Sequence, residues 1–580
     1  MIIIGINAYH ADASAAIFVN GILIAAIEEE RFTRIKHWAG FPQKSILFCL
    51  QEAGVSIEEV NYFAIGRDPS AKMLNKILYL AKNPLVSFGA VKERWANRKK
   101  VSSIEEELAL LSGLPATSFA GKIKNIEHHR SHLASAFFAS PFKEAACLSI
   151  DGSGDFSTTM TGRGTRNHIE VLQSVDFPHS LGIFYTAFTQ LLGFPHYGDE
   201  YKVMGIAPYG KPVYLEALKE VIQLTNDGLF KLNGRFFRNG REGLISYDAQ
   251  HVPQVAAMYT DVMVERFGAV RNKDEPPGQH HKDLAASVQR MTEEVIFHLL
   301  NDLHKKTGLD NICIAGGVAQ NSVANGKITR NTPFKNVYIP SAGHDAGISM
   351  GAALYVQHEQ EDLQRQVIYS AYTGSHFSNA AIKEMLDNKG IKYAELADEA
   401  LYNRVTDCLI NGGIAGWMNG RAEFGPRALG GRSILADPRR SDAKDIINAK
   451  IKRRESFRPF APSILQEYVG EYFEIDEPVP FMEKVFPVRK EKQALIPAVT
   501  HVDGTGRLQT VDKNISPRYY ALIENFRKKT GVPILLNTSF NENEPIVNKP
   551  EEALACFLRT EMDMLVMENI LIERKAGGMM

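Results

Sequence analysis

The segment His128-His129-Arg130-Ser131-His132 precedes an apolar, helix-compatible run, Leu133–Phe138. At helical spacing His128 and His132 share a face as i and i+4, and His129 and His132 do so as i and i+3. Either pair offers two imidazoles to a divalent ion, and spacing does not choose between them. Two imidazoles do not close a site, so carboxylates must come from elsewhere. Asp151 and Asp345 stand in glycine-containing loops that a ligand can approach. A mixed nitrogen and oxygen set suits Fe, Zn, Mn or Ni better than Mg. The alternative is a hydrogen-bonded helix start that holds no metal.

Phosphate chemistry is suggested twice. Asp151-Gly152-Ser153-Gly154-Asp155 and Gly316-Gly317-Val318-Ala319-Gln320-Asn321 each follow an apolar strand. Backbone N–H groups in such turns cradle phosphate oxygens, with ordinary tight turns as the alternative. Neither segment matches GxGxxG or GxxxxGK[ST], so dinucleotide and Walker A readings fail. The second signal is denser: Arg421, Arg427, Arg432, Arg439, Arg440, Lys450, Lys452, Arg453, Arg454 and Arg458 crowd together. They are interleaved with Gly425-Pro426, Asp437-Pro438 and Arg458-Pro459, rigid units that a merely solvated charged face does not need. Arginine forks bind phosphate bidentately and lysine adds a point charge, so a polyanion pocket is expected. Asn537-Thr538-Ser539-Phe540-Asn541 ends an apolar strand, the end at which α/β folds place ligands.

The elements that must hold these groups read as α/β. Met1–Ile6, Ala15–Val19 and Gly21–Ile27 are apolar strands, with Asn20-Gly21 a two-residue turn signal. The pattern recurs at Ala145–Ile150, Ser157–Thr161 and His168–Leu172, with a turn expected at Gly162–Thr165. Two copies of strand, turn, strand, turn, strand imply a duplicated lobe. Ala71–Gly113 reads as a helical insertion, basic at Lys92, Arg94, Arg98, Lys99 and Lys100. Asp283–Lys306 is a long amphipathic helix before the strand Asn311–Ala315, and Gly347–Val356 a small-residue helix. Polar Gln357–Gln366 contains the expected boundary, giving domains 1–360 and 361–580.

The 580 residues allow roughly three to five structural units. With 44% hydrophobic and 23% charged residues, disordered and small disulfide-stapled classes are excluded. Balanced charge, 66 Lys+Arg against 67 Asp+Glu, gives no ground for nucleic acid or an anionic membrane as partner. The five cysteines form no CxxC pair, and no apolar run approaches the ~18 residues of a membrane span. A cytoplasmic location is expected.

Glu28–Lys36-His37, Glu127–Phe138, Asp151–Asp155, Lys202–Gly210, Gly316–Asn321 and His344–Gly347 resemble, in order, the O-carbamoyltransferase family of nodulation-factor and antibiotic-tailoring enzymes. Phe424–Gly430, Phe457–Pro462, His501–Arg507 and Leu536–Phe540 resemble its second domain. The resemblance implies a duplicated actin-like ATPase domain with ribonuclease-H-like lobes, followed by a YrdC-like domain. The second would join carbamoyl phosphate and ATP, with Mg2+, into carbamoyl-adenylate. The first would pass the carbamoyl group to a hydroxyl of a small-molecule acceptor. By resemblance, Arg427, Arg432, Lys452, Arg458, Arg507, Asn537 and Ser539 serve activation, and His128, His132, Asp151 and Asp345 bind the metal, iron in this family. Gly152, Gly154, Gly316, Gly317 and Asn321 would hold nucleotide in the first domain. His10, Asp12 and Lys36 would be catalytic, with His10 accepting the hydroxyl proton, although Ala11 here separates two residues that many members keep adjacent. The partners expected are the acceptor and at most a homodimer mate. The competing readings are an actin-like small-molecule kinase, which leaves the arginine-rich segment unexplained, and a nucleotide-gated, non-enzymatic binding protein, which leaves the His and Asp motifs without a role.

Overall fold

The computed structural model describes residues 1–82, 104–238, 245–360 and 364–574. The chain divides into two compact units, Met1–Ile368 and Tyr369–Met580. The basic cluster Lys92–Lys100 lies outside the described residues. Among the described residues no helix is long and apolar enough to cross a membrane.

The first unit contains the same sheet twice. β1 (Ile2–Asn7), β2 (Ser14–Val19), β3 (Ile22–Glu28), β4 (Tyr62–Ile65) and β5 (Ile123–Asn125) are ordered β3-β2-β1-β4-β5. The first three strands are antiparallel, and β4 and β5 add in parallel. β6 (Glu144–Gly154), β7 (Ser157–Thr165), β8 (His168–Asp176), β9 (Asn311–Ala315) and β10 (Asn336–Tyr338) repeat the order as β8-β7-β6-β9-β10 with the same strand directions. The first unit therefore contains the duplicated lobe that the sequence repeat implies. Asn20 and Gly21, at φ 49° and 86°, make the tight β2–β3 turn that their types signal.

The second copy departs from expectation in two places, the first being that Asp151–Gly154, expected as part of a turn, forms the end of β6. The second is that Gly162–Thr165 lies inside β7. Its glycines answer to crowding: a Cβ at Gly164 would sit 2.6 Å from the Phe137 ring, and one at Gly162 2.6 Å from the Glu170 carbonyl oxygen.

Three helices position the chemistry. α1 (His128–Phe137) is buried almost throughout. α2 (Gln279–Thr307) packs its apolar stripe toward the second lobe, and α3 (Gly347–Gln360) is the small-residue helix. α3 packs on α1 and on β1, β2 and β4, while α1 packs on β6 and β9. The α1–α3 pair is therefore the joint between the two sheets. Its closeness depends on glycine, since a Cβ at Gly351 would lie 1.9 Å from the Ser131 carbonyl oxygen and one at Gly5 1.7 Å from that of Ser349. Backbone cannot retreat as a side chain can. Gly351→Ala is therefore expected to destabilise by about 3 kcal/mol, the upper end for overpacking. Denaturant unfolding showing a change under about 0.5 kcal/mol would contradict that packing.

The second unit is built on one nine-stranded mixed sheet. Its strands are β11 (Ala394–Glu395), β12 (Ala415–Met418), β13 (Arg432–Ala436), β14 (Ala461–Leu465), β15 (Lys484–Pro487), β16 (Thr505–Val511), β17 (Ile534–Ser539), β18 (Met564–Met567) and β19 (Ile570–Glu573). They are ordered β11-β19-β18-β12-β13-β17-β14-β16-β15. Trp417, Leu435, Ile464, Leu508, Phe526 and Leu536 belong to its continuous core.

Candidate active sites of the two units

In the first unit, β6 and the α1–α3 joint bring four donors together. His128 and His132 come from the first turns of α1, Asp151 from β6, and Asp345 from the loop before α3. One donor atom from each lies within 4.8 Å of all the others. His132 Nε2 is 3.1 Å from Asp151 Oδ2 and 3.4 Å from Asp345 Oδ1. His128 Nε2 is 3.5 and 3.7 Å from the same two oxygens. His129 points elsewhere, its Nδ1 2.7 Å from Ser149 Oγ. Of the two spacings open in the sequence, the structure selects i and i+4.

Electrostatics shows how the charges of this cluster are balanced. Burial opposes ionisation of Asp345, but His10, His132 and His128 outweigh it and hold the carboxyl well below its usual range. Burial likewise opposes charge on His132, and its bonds to Asp151 and Asp345 push it up to about 9. Two converging buried carboxylates are therefore compensated by protons on histidine. A divalent ion can take the place of those protons, because metal and proton compete for the same ligand atoms. The donor set fits a metal: two imidazole nitrogens, two carboxylates and one shared focus.

The surroundings fix these ligands. Asp155 Oδ2 accepts from the backbone N–H groups of His128 (3.0 Å) and Asp68 (2.7 Å), anchoring the start of α1. Gly154 is needed by the same ring, since a Cβ there would meet His128 Cγ at 2.1 Å. Gly316, at φ 104°, packs against the Ile150 carbonyl, and a Cβ at Gly317 would come within 2.7 Å of Asp151 Oδ1. These two glycines thus make room for the Asp151 end of β6. Gly152 faces open space. Asn321 caps the short helix Ser322–Asn325 and exchanges hydrogen bonds of 3.0 Å with Gln289 on α2. His10 Nδ1 is 2.6 Å from Asp345 Oδ2, against a member of the cluster. Asp12 pairs instead with His37, Oδ1 to Nδ1 at 2.8 Å. Lys36 is exposed beside it.

In the second unit, Arg507 on β16 is the centre of a cationic site. Burial, and then the like charges of Arg427, Arg454 and Arg458, depress its pKa well below the usual arginine range. Its Nε has no hydrogen-bond partner. His501 lies near Arg507 and Lys444, and burial pushes its imidazole down to about 4, so it is neutral. Asn537 is buried in β17; its Nδ2 contacts the Ala428 carbonyl, Ser463 Oγ and Gln509 Oε1 at 3.0–3.1 Å, while Oδ1 has no partner. Crowded like charges and an unsatisfied buried amide oxygen are each poor for folding, and each suits a ligand: an anion for the first, a hydrogen-bond donor for the second.

Two expected phosphate ligands are placed differently. Arg432 is buried, and its guanidinium donates to the carbonyls of Gly420, Gly431 and Ser375 at 2.8–3.0 Å. The Lys452 ammonium donates to the Ser539 and Asn541 carbonyls and to both of their side chains. Both cations brace loops that carry other site residues. Sequence reasoning gave no role to the Asp155 anchor, to His37 or to neutral His501, because each acts through a partner distant in sequence.

Comparison with known proteins agrees with this arrangement. Residues 2–354 match the carbamoyltransferase N-terminus and 406–574 the carbamoyltransferase C-terminus. The chain is 42% identical to an uncharacterized protein of Synechocystis sp., over 99% of this chain and 97% of that one. It is 38% identical to nodulation protein NolNO of Sinorhizobium fredii, over 99% and 80% of the two chains. An uncharacterized protein of Methanocaldococcus jannaschii is 31% identical over 99% of both. With both family regions matched in order and relatives aligned along almost its whole length, the chain belongs to the carbamoyltransferase family and is a transferase.

Proposed function

We propose that the second unit, YrdC-like in kind, condenses carbamoyl phosphate with ATP into carbamoyl-adenylate. The first unit then transfers the carbamoyl group to a hydroxyl of a small-molecule acceptor. The observation that carries this reading is the site around Arg507, which feels the like charges of Arg427, Arg454 and Arg458, in a unit that also holds the buried, unpartnered Asn537 Oδ1. Two phosphorylated substrates bring anionic charge to these guanidiniums, and a carbamoyl NH2 donates to an amide oxygen. Neutral His501 adds no further positive charge. Arg427, Arg458, Arg507, Asn537 and Ser539 would contact the substrates, while Arg432 and Lys452 hold the loops in place.

In the first unit, His128, His132, Asp151 and Asp345 would hold a divalent metal, Fe2+ on the family resemblance. When bound, it supplies Lewis acidity to a carbonyl or phosphoryl oxygen. His10 braces Asp345, and Asp155 braces His128. The open side of Gly152 leaves backbone accessible to a phosphate, with Gly316, Gly317 and Asn321 shaping the same end of the lobe.

The products of ATP test this reading. AMP and pyrophosphate are expected only when carbamoyl phosphate is present. ADP formed without it would favour a kinase, and nucleotide binding without turnover would favour a non-enzymatic role.

A further inference from the structure

Asp12 and His37 form a pair beside the metal cluster. The Asp12 carboxylate is buried, while 31% of the His37 side chain is exposed. Both residues have left-handed backbone, φ 59° and 56°, which costs roughly 1–2 kcal/mol for a residue with a side chain. The fold pins each one. Asn7 Nδ2 donates to the Asp12 carbonyl at 3.0 Å, the His37 N–H donates to Glu30 Oε2 at 2.9 Å, and the Ala13 N–H donates to the Trp38 carbonyl at 3.0 Å.

With Nδ1 committed to Asp12, the ring is left with Nε2, which makes no hydrogen bond among the described residues. Gly198, at φ 81°, stands before it, and a Cβ there would come within 2.6 Å of Nε2. The Tyr197 ring meets the imidazole edge-on at 5.1 Å. Tyr197 also feels the charges of Asp345, Asp12 and Asp151, carboxylates of both the pair and the metal cluster. Four other imidazoles here are committed, His128 and His132 to the cluster, His10 to Asp345 and His129 to Ser149, while His344, which also acts on Asp12, has a buried Nδ1 without a hydrogen-bond partner. His37 is oriented by a carboxylate outside the cluster, and its side chain stays partly exposed.

We propose that His37, oriented by Asp12, takes the proton from the acceptor hydroxyl, so that the acceptor binds against the Nε2 edge of this ring. This assignment rests on the adenylate reading above. As the hydroxyl O–H bond breaks, its proton passes to Nε2 and its oxygen bonds to the carbamoyl carbon. The bond from that carbon to the adenylate phosphate oxygen breaks, and its electron pair leaves with AMP. The imidazolium later returns the proton to water, and Asp12 stays ionised throughout.

The charged and titratable groups facing the ring are Asp12 from the β1–β2 turn, Glu30 and Lys36 from its own segment, and Tyr197 and Glu200 from the segment opposite. Burial disfavours the imidazolium, but Asp12 outweighs it and pushes the ring up to about 9. Transfer should therefore rise with pH as the neutral ring forms, and level off near that value.

The test uses the full chain with supplied carbamoyl-adenylate, measuring AMP release with water and with molar glycerol as hydroxyl probes. His37→Asn should slow release by ~10²–10⁴-fold and remove the pH-dependent rise. Asp12→Asn should move the breakpoint to lower pH, because no carboxylate then stabilises the imidazolium. Metal content and carbamoyl-phosphate-dependent pyrophosphate release should match wild type in both variants. Release within a few-fold of wild type in His37→Asn, or an unmoved breakpoint in Asp12→Asn, overturns the assignment to His37 alone. Wild-type release no faster than in enzyme-free buffer overturns the adenylate reading and this assignment together.

Discussion

His132→Ala is expected to lose the metal and, with it, carbamoyl transfer, while pyrophosphate release by the second unit continues. His132 is fully buried, and its Nε2 is closer than that of His128 to both carboxylates. Removing it leaves Asp151 and Asp345 facing each other with one imidazole between them. Three donors of net charge −2 still attract a divalent ion, but one of four coordination positions is lost. Loss of a partner outside the coordination shell already costs about 10–100-fold in affinity, so loss of a ligand should exceed that. Elemental analysis should then find about one divalent ion per wild-type chain and almost none in the variant after dialysis. His129→Asn is the control, because asparagine can keep a hydrogen bond to Ser149 without touching the cluster. Metal retained in His132→Ala, or lost only in His129→Asn, would refute this ligand set.

The same pair shows what sequence can and cannot resolve. Helical periodicity limits a metal-binding pair to i,i+3 or i,i+4, and the strand–turn–strand repeat is legible because apolar runs and turn residues are local signals. The duplicated lobes followed from that repeat. Choosing His128 over His129 required Ser149, on β6, to claim the odd ring. Glycine misled for the same reason. Gly162 and Gly164 look like a turn in sequence, yet they serve close contacts with Glu170 and Phe137 inside a strand. Arginine density pointed to the second unit as a place for anions. It could not say which cations face the ligand, because Arg432 is spent on backbone carbonyls set by tertiary packing.

Arg507 and Arg432 should accordingly part company when each is changed to methionine. Arg507 lies among like charges with an unsatisfied Nε, so methionine relieves repulsion and a desolvation cost. Replacing a poorly compensated buried charge by an apolar side chain of similar volume is often neutral or stabilising. Thermal unfolding of Arg507→Met should therefore match wild type or rise by a few degrees, about 2–4 °C for each kcal/mol gained. Its pyrophosphate release should fall by about 10²–10³-fold, the usual loss for one preorganised group facing developing charge. Arg432→Met should do the reverse, since three buried carbonyls lose their donor and each unmet group costs about 1–3 kcal/mol. The second unit should then melt well below wild type, with activity falling in proportion to the folded fraction. An Arg507→Met protein that melts early and stays active per folded molecule would make Arg507 a structural residue. If Arg432→Met melts normally but is inactive, its guanidinium belongs to the substrate after all.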